Sequence, residues 1–290
     1  MTLRLDHDFL TKLEYLHVVS KRAFAGQHRA DRLAQKRGRG LEFADHRAYS
    51  AGDDFRHIDW KAYKRLNRLL LRLFDEEQDL PIYLLIDISR SMAEAAKFDH
   101  ARRIAAALCY VGLAHLDHVT LVPFAGGLGR EINPGRGKGR IFRVLQQLDA
   151  LDAGGTTDLA ESLKQFSSRR RRTGLCVVIS DFLDPKGPED PVKMLSVHGH
   201  EVFAIHVTSR HDSHCDVYGE VRLLDIETGR TQDIDVTPAA AAAHHRAFEA
   251  HAAALAQFCA RYRLGYIRAD VSQPFEDIVL NAFRSGQFLA

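Results

Sequence analysis

Residues Leu80–Met92 read LPIYLLIDISRSM, and the fold of the chain follows from them. The run Ile82–Ile86 is apolar throughout, long enough for a strand buried on both faces. Asp87, Ser89 and Ser91 come directly after it. The carboxyl end of such a strand is where α/β sheets hold their ligands. If the backbone curls after the strand, a carboxylate and two hydroxyls at alternate positions converge. Three hard oxygens facing one point suit a small divalent cation such as Mg²⁺. The same residues also fit a plainer role, an Asp and a Ser pair capping the next helix.

Downstream, strand and helix signals alternate. Phe98 to Leu116 carries Ile104, Leu108, Val111 and His115 on one face, and HVTLVPFA reads as the next strand. A helix over Arg140 to Leu151, a Gly-Gly-Thr turn feeding a second helix, and the apolar strand GLCVVISD ending in Asp181 follow. PVKMLSVHGHEVFAIHV repeats helix then strand. An alanine-rich helix from Pro238 to Arg261, a strand from Gly265 to Asp270 and a helix from Pro274 to Phe288 close the chain. This is the pattern of an α/β protein with a doubly wound, mostly parallel sheet. Residues 220–236 interrupt it with two alternating runs around a Thr-Gly turn, which predicts a β-hairpin appended to the sheet edge.

The N-terminal part is different in kind. Leu10, Leu13, Leu16 and Ser20 are spaced for a short amphipathic helix. A basic stretch with Arg29, Arg32, Lys36, Arg37 and Arg39 follows; lacking interleaved aromatics, it reads as a solvated loop rather than a nucleic-acid arm. Then comes LEFADHRAYSAGDDFRHIDWKAYKRLNRLLLRLFDEEQD, dense in mixed charge and containing the only tryptophan, Trp60. The mixture predicts an internal ion-pair network, with Trp60 as a buried anchor. Two regions result: residues 1–78, with helix, basic loop and charged segment, and residues 79–290, with the parallel sheet.

A formal charge of +2 excludes a protein whose whole surface serves nucleic acid. Cys109, Cys176, Cys215 and Cys259 form no CxxC pair, so neither a disulfide framework nor a zinc knuckle is expected. No apolar run approaches a membrane span and the start lacks a signal-peptide layout, so a cytoplasmic protein without membrane contact is expected.

Asp87, Ser89 and Ser91 after one strand, a threonine in a loop before a helix and an aspartate ending a later strand together resemble the von Willebrand factor A domain. In that fold such residues form a metal-ion-dependent adhesion site. The resemblance implies Asp87, Ser89, Ser91, Thr157 and Asp181 as holders of Mg²⁺ or Mn²⁺. Thr157 is preferred to Thr156 because Leu159 and Leu163 fit the leucine or isoleucine expected two and six residues later. The string YSAGDDFRHIDWKAYKR and the SDFLD ending at Asp184 are also similar to the bacterial family called domain of unknown function 58, over about residues 28 to 184. That resemblance implies an adaptor or cofactor of a MoxR-type AAA+ ATPase. The metal would be contacted by an acidic side chain of the ATPase or its client protein, with Arg90 hydrogen-bonding the same carboxylate. Arg90 stands where many A domains have glycine, and the membrane-spanning helices of some relatives are missing.

An enzyme is not expected. A metal-assisted hydrolase using the same site is the main alternative, but it needs a positioned base and more carboxylate or histidine ligands than the motif supplies. A nucleic-acid role for the basic patches is the other, Arg169 to Arg172 being read as the solvated end of a helix. GRGKGR at 135–140 lacks the frame of a phosphate loop, and His211, His214 and Cys215 lack a fourth ligand for a transition metal.

Overall fold

The computed structural model describes residues 8–20, 37–38, 42–50, 53–55, 58–75, 81–115, 117–169 and 171–284. The chain forms two compact units, one of residues 21–79 and one joining residues 1–20 to residues 80–290. The opening helix, α1 (8–20), therefore belongs with the larger unit rather than with the charged segment. The reason is visible in its packing: Phe9, Leu13, Leu16 and Ser20 are buried, and Phe9 lies 5.2 Å from Phe275 of the closing helix.

In the smaller unit, β1 (Arg37–Gly38), β2 (Glu42–Ala48) and β3 (Leu70–Asp75) form an antiparallel sheet in the order β1-β3-β2, with α2 (Trp60–Leu66) between β2 and β3 in sequence. Asp59 caps α2, accepting the Lys61 and Ala62 amides at 2.9 and 3.0 Å, and its other oxygen meets His46 at 2.9 Å. Trp60 does not fit the buried-anchor expectation. The cap places it as the first helical residue, while Ala62 supplies the buried face, and Trp60 is 57% exposed beside Tyr63. Trp60→Ala is accordingly expected to change the unfolding free energy by no more than about 0.5 kcal/mol. Urea denaturation checks this; a loss near 2 kcal/mol would restore the anchor. Arg29, Arg32, Lys36 and Arg39 lie outside the described residues.

The larger unit is a mixed α/β structure on a five-stranded parallel sheet. Its strands are β4 (Pro81–Asp87), β5 (His118–Phe124), β6 (Leu175–Ser180), β7 (Glu201–Thr208) and β10 (Gly265–Asp270), in the spatial order β10-β7-β6-β4-β5. Every residue of β4 is buried, as its unbroken apolar run requires. Alternate side chains serve opposite layers. Tyr83 and Leu85 join a core with Leu159, Leu163 and Phe166 of α5 (Leu159–Ser168), Val192 and Leu195 of α6 (Glu189–Val197), and Leu255 and Cys259 of α8 (Pro238–Arg261). Ile82 faces the other way, onto α3 (Lys97–Ala114), where a side chain at Gly112 would come within 3.1 Å of it. The helices α4 (Ile141–Asp149) and α9 (Phe275–Arg284) pack beside α3. Burying a side chain such as Leu84, Leu85 or Ile86, all at 0% exposure, is worth about 1.5–3 kcal/mol each.

Residues 219–236 do not extend this sheet. Among the described residues, the strands β8 (Gly219–Leu224) and β9 (Thr231–Val236) pair only with each other, antiparallel, as a separate ribbon. Between β7 and that ribbon lies the short helix α7 (Arg210–Ser213). Arg171 is not a solvated helix end: its guanidinium lies 4.3 Å from the Phe166 ring and bonds Glu131 at 2.5 Å, and the more exposed Arg169 pairs with Glu131 as well. Among the described residues, no helix is long and apolar enough to cross a membrane.

Candidate metal centre

With the five strands taken in chain order, the sheet runs second, first, third, fourth, fifth, and its direction of winding reverses between β4 and β6. A crevice opens at the carboxyl ends of two strands at such a reversal. Asp87 ends β4 and Asp181 directly follows β6.

Asp87 is fully buried, and both its oxygens are engaged: Oδ1 accepts the Ser89 amide at 2.9 Å and Oδ2 the Ser180 hydroxyl at 2.6 Å. The first of these bonds curls the chain back on itself, bringing the Ser89 and Ser91 hydroxyls to 3.0 Å of each other before a 3-10 turn, Ser91–Ala96, leads into α3. A second loop is stitched to this one through its backbone. The Gly154 amide donates to Ile88 O at 2.7 Å and the Arg90 amide to Gly155 O at 3.1 Å. Gly155 has φ +87°, left-handed backbone that glycine adopts without strain. The stitch sets Thr157 against the first loop and leaves Thr156 exposed. Asp158 then caps α5 through the Glu161 amide at 2.9 Å, and Asp184 accepts the Leu159 amide at 2.8 Å.

Asp181, 1% exposed, takes the Leu183 amide on Oδ1 at 3.3 Å and the Lys97 ammonium on Oδ2 at 2.8 Å. Lys97 is itself buried at 2% exposure and also bonds Asp212 at 2.9 Å. Burial works against the Lys97 charge, but Asp181 and Asp212 outweigh it and hold the ammonium above its usual range. On Asp87, burial and then the Asp181 charge push the carboxyl up to about 7.

One further carboxylate enters. Glu227, in the loop between β8 and β9, accepts the Ser91 amide and the Thr157 hydroxyl on Oε1, at 3.0 and 3.3 Å, and the Thr157 amide on Oε2 at 3.0 Å. Bonds thus link Asp87 to Ser89 and Ser180, Ser89 to Ser91, and, through Glu227, Ser91 to Thr157, while Asp181, held by Lys97 beside Asp212, lies close enough for its charge to act on Asp87. Ser180 had a signal, since it precedes Asp181 in the same strand end. Lys97 had none, because lysine is almost never fully buried. Arg90 is exposed at the rim, held by its backbone amide.

The donor set fits a hard divalent cation: three hydroxyls and two carboxylates, all oxygen. Among the described residues, no three His, Cys, Asp or Glu side chains are grouped to hold a metal. The His214 ring centroid lies 4.6 Å from that of His245, and Cys215 donates to Val217 O.

The fold is that of a mixed α/β protein on a five-stranded parallel sheet, consistent with a Rossmann-like class. The chain belongs to the family described as protein of unknown function DUF58, which it matches over residues 45–254, across both units. It is 29% identical over 261 residues to the uncharacterized protein Rv1480 of Mycobacterium tuberculosis, covering 87% of this chain and 81% of that one. It is 34% identical over 113 residues to the uncharacterized protein MAV169 of Mycobacterium avium, covering 37% and 66%. Among solved structures it is similar to the conserved hypothetical protein BatB of Bacteroides thetaiotaomicron, with TM-score 0.44, 14% identity, and 73% of this chain and 100% of that chain covered. The pilus adhesin SpaC of Lactobacillus rhamnosus GG gives TM-score 0.46 at 14% identity, with 72% and 30% covered. Neither structural likeness is close enough to bear on function.

Proposed function

We propose that this chain is a von Willebrand A-like binding module that holds Mg²⁺ or Mn²⁺ with Asp87, Ser89, Ser91, Thr157 and Asp181 and uses it to grip an acidic side chain of a partner protein. The resemblance described above makes that partner a MoxR-type AAA+ ATPase or its client, with this chain as adaptor. The observation that carries the reading is the meeting of hydroxyls from two stitched loops with two strand-end aspartates at the switch point. When bound, the cation supplies an electron-poor centre with a position open to an oxygen ligand. The chain's own part is to orient the hydroxyls, keep Asp181 in place through Lys97, and present amides to the incoming carboxylate. Arg90 stands at the rim beside it. Binding is favoured over hydrolysis because a metal-assisted hydrolase needs a positioned base and more carboxylate or histidine ligands than these five residues supply.

Asp87 and Ser89 are buried, so the test uses variants that spare the packing: Asp87→Asn, and Ser91→Ala with Thr157→Val. Calorimetry with Mn²⁺ is expected to show one site in the wild type, weakened by about tenfold or more in each variant. Equal titration of all three proteins rejects the metal site. Pull-down of a MoxR-type ATPase in Mg²⁺ but not in EDTA is the expected second result; retention in EDTA rejects the metal-bridged partner.

A further inference from the structure

The place that a partner's carboxylate would take already holds one. Glu227 sits on two amides and a hydroxyl of the site, 136 residues from Ser91 and 70 from Thr157 along the chain, so no local backbone constraint puts it there. The ribbon that carries it has little core of its own. No residue of β8 is buried, Leu223 and Leu224 are 49% and 64% exposed, and only Val236 of β9 is buried. A lone two-stranded ribbon is marginal in water, and the bonds made by Glu227 hold its tip to the site. The loop is shaped to present that residue. Asp225 Oδ1 accepts the Glu227 and Thr228 amides at 2.9 and 3.1 Å, Oδ2 accepts the Thr228 hydroxyl at 2.6 Å, and Gly229 at φ +71° brings the chain back to β9.

We propose that Glu227 is an internal ligand of the site, occupying the carboxylate position, and that a partner's Asp or Glu binds by displacing it and releasing the ribbon tip. This rests on the metal-dependent reading above. Glu227 is chemically what that reading requires of the partner: a single carboxylate, acceptor on both oxygens, delivered by a loop. An internal carboxylate lets the site keep its donors satisfied until a competing one arrives.

The probes are Mn²⁺ and acetate, with water proton relaxation measured per bound Mn²⁺. Glu227→Ala vacates one position. Bound Mn²⁺ is expected to relax water more strongly in that variant than in the wild type, and acetate to reverse the gain in the variant while leaving the wild type unchanged. In the metal-free protein, the Ser91 and Thr157 amides are expected to exchange about tenfold faster in Glu227→Ala, while the β4 amides stay unchanged. Wild-type and Glu227→Ala proteins alike in relaxation, acetate response and exchange overturn the internal ligand. If that happens while Ser91→Ala with Thr157→Val still weakens Mn²⁺ binding about tenfold or more, the metal reading stands and only this inference falls. Mn²⁺ binding that is unchanged in the double variant overturns the metal reading, and the internal metal ligand with it.

Discussion

Lys97→Met is expected to lower the unfolding free energy by about 3–5 kcal/mol, because it strands two buried carboxylates. Lys97 reaches Asp181 at 2.8 Å and Asp212 at 2.9 Å with 2% of its side chain exposed, so water cannot take over from the lost ammonium. Methionine matches the length of the stem and fills the volume, which isolates the charge from the packing. Urea denaturation at neutral pH reads the loss. Adding Asp181→Asn to Lys97→Met is expected to recover part of it, since one of the two stranded charges is removed. An unchanged midpoint for Lys97→Met would show that the two ion pairs add nothing to stability.

Gly174→Ala is expected to be comparably damaging for a purely geometric reason. A methyl group at Gly174 would lie 2.1 Å from the carbonyl oxygen of Pro81 and 3.0 Å from its carbon. Both partners are backbone at the starting edges of adjacent strands, so no rotamer change relieves the overlap, and β4 and β6 must separate where the sheet is most buried. Overpacking of this kind costs on the order of 3 kcal/mol. That corresponds to a fall in melting temperature of roughly 6–12 °C for a domain of this size. Gly154→Ala is the control, because nothing lies within 4 Å of the methyl position there. Equal melting of the two variants would mean that the strands yield without cost.

The parallel sheet was legible because Ile82–Ile86 is an unbroken apolar run followed at once by polar residues, a pattern that few local structures share. Asp87, Ser89 and Ser91 were legible for the same reason, being packed into one short sequence. What escaped had a common cause. Lys97 draws its burial from charges 84 and 115 residues away, and Glu227 meets donors from two other loops, so no window of sequence contains either relation. Strand β2 alternates charged and apolar residues too irregularly to stand out, as its register break between Phe43 and Asp45 reflects. Trp60 was misread because bulk and rarity suggest an anchor, whereas its place beside a capping Asp59 turns it outward.

The loop from Asp225 to Arg230 closes on itself through the Asp225 amide to Arg230 O and the Gly229 amide to Asp225 O, both at 2.8 Å. A carboxylate on so short a tether is present at the site at an effective concentration on the order of millimolar. A free acidic side chain arriving at cellular dilution loses that contest unless other surfaces of its protein bind at the same time. Selectivity would then lie less in the crevice, which any carboxylate satisfies, than in the height of the threshold the tether sets.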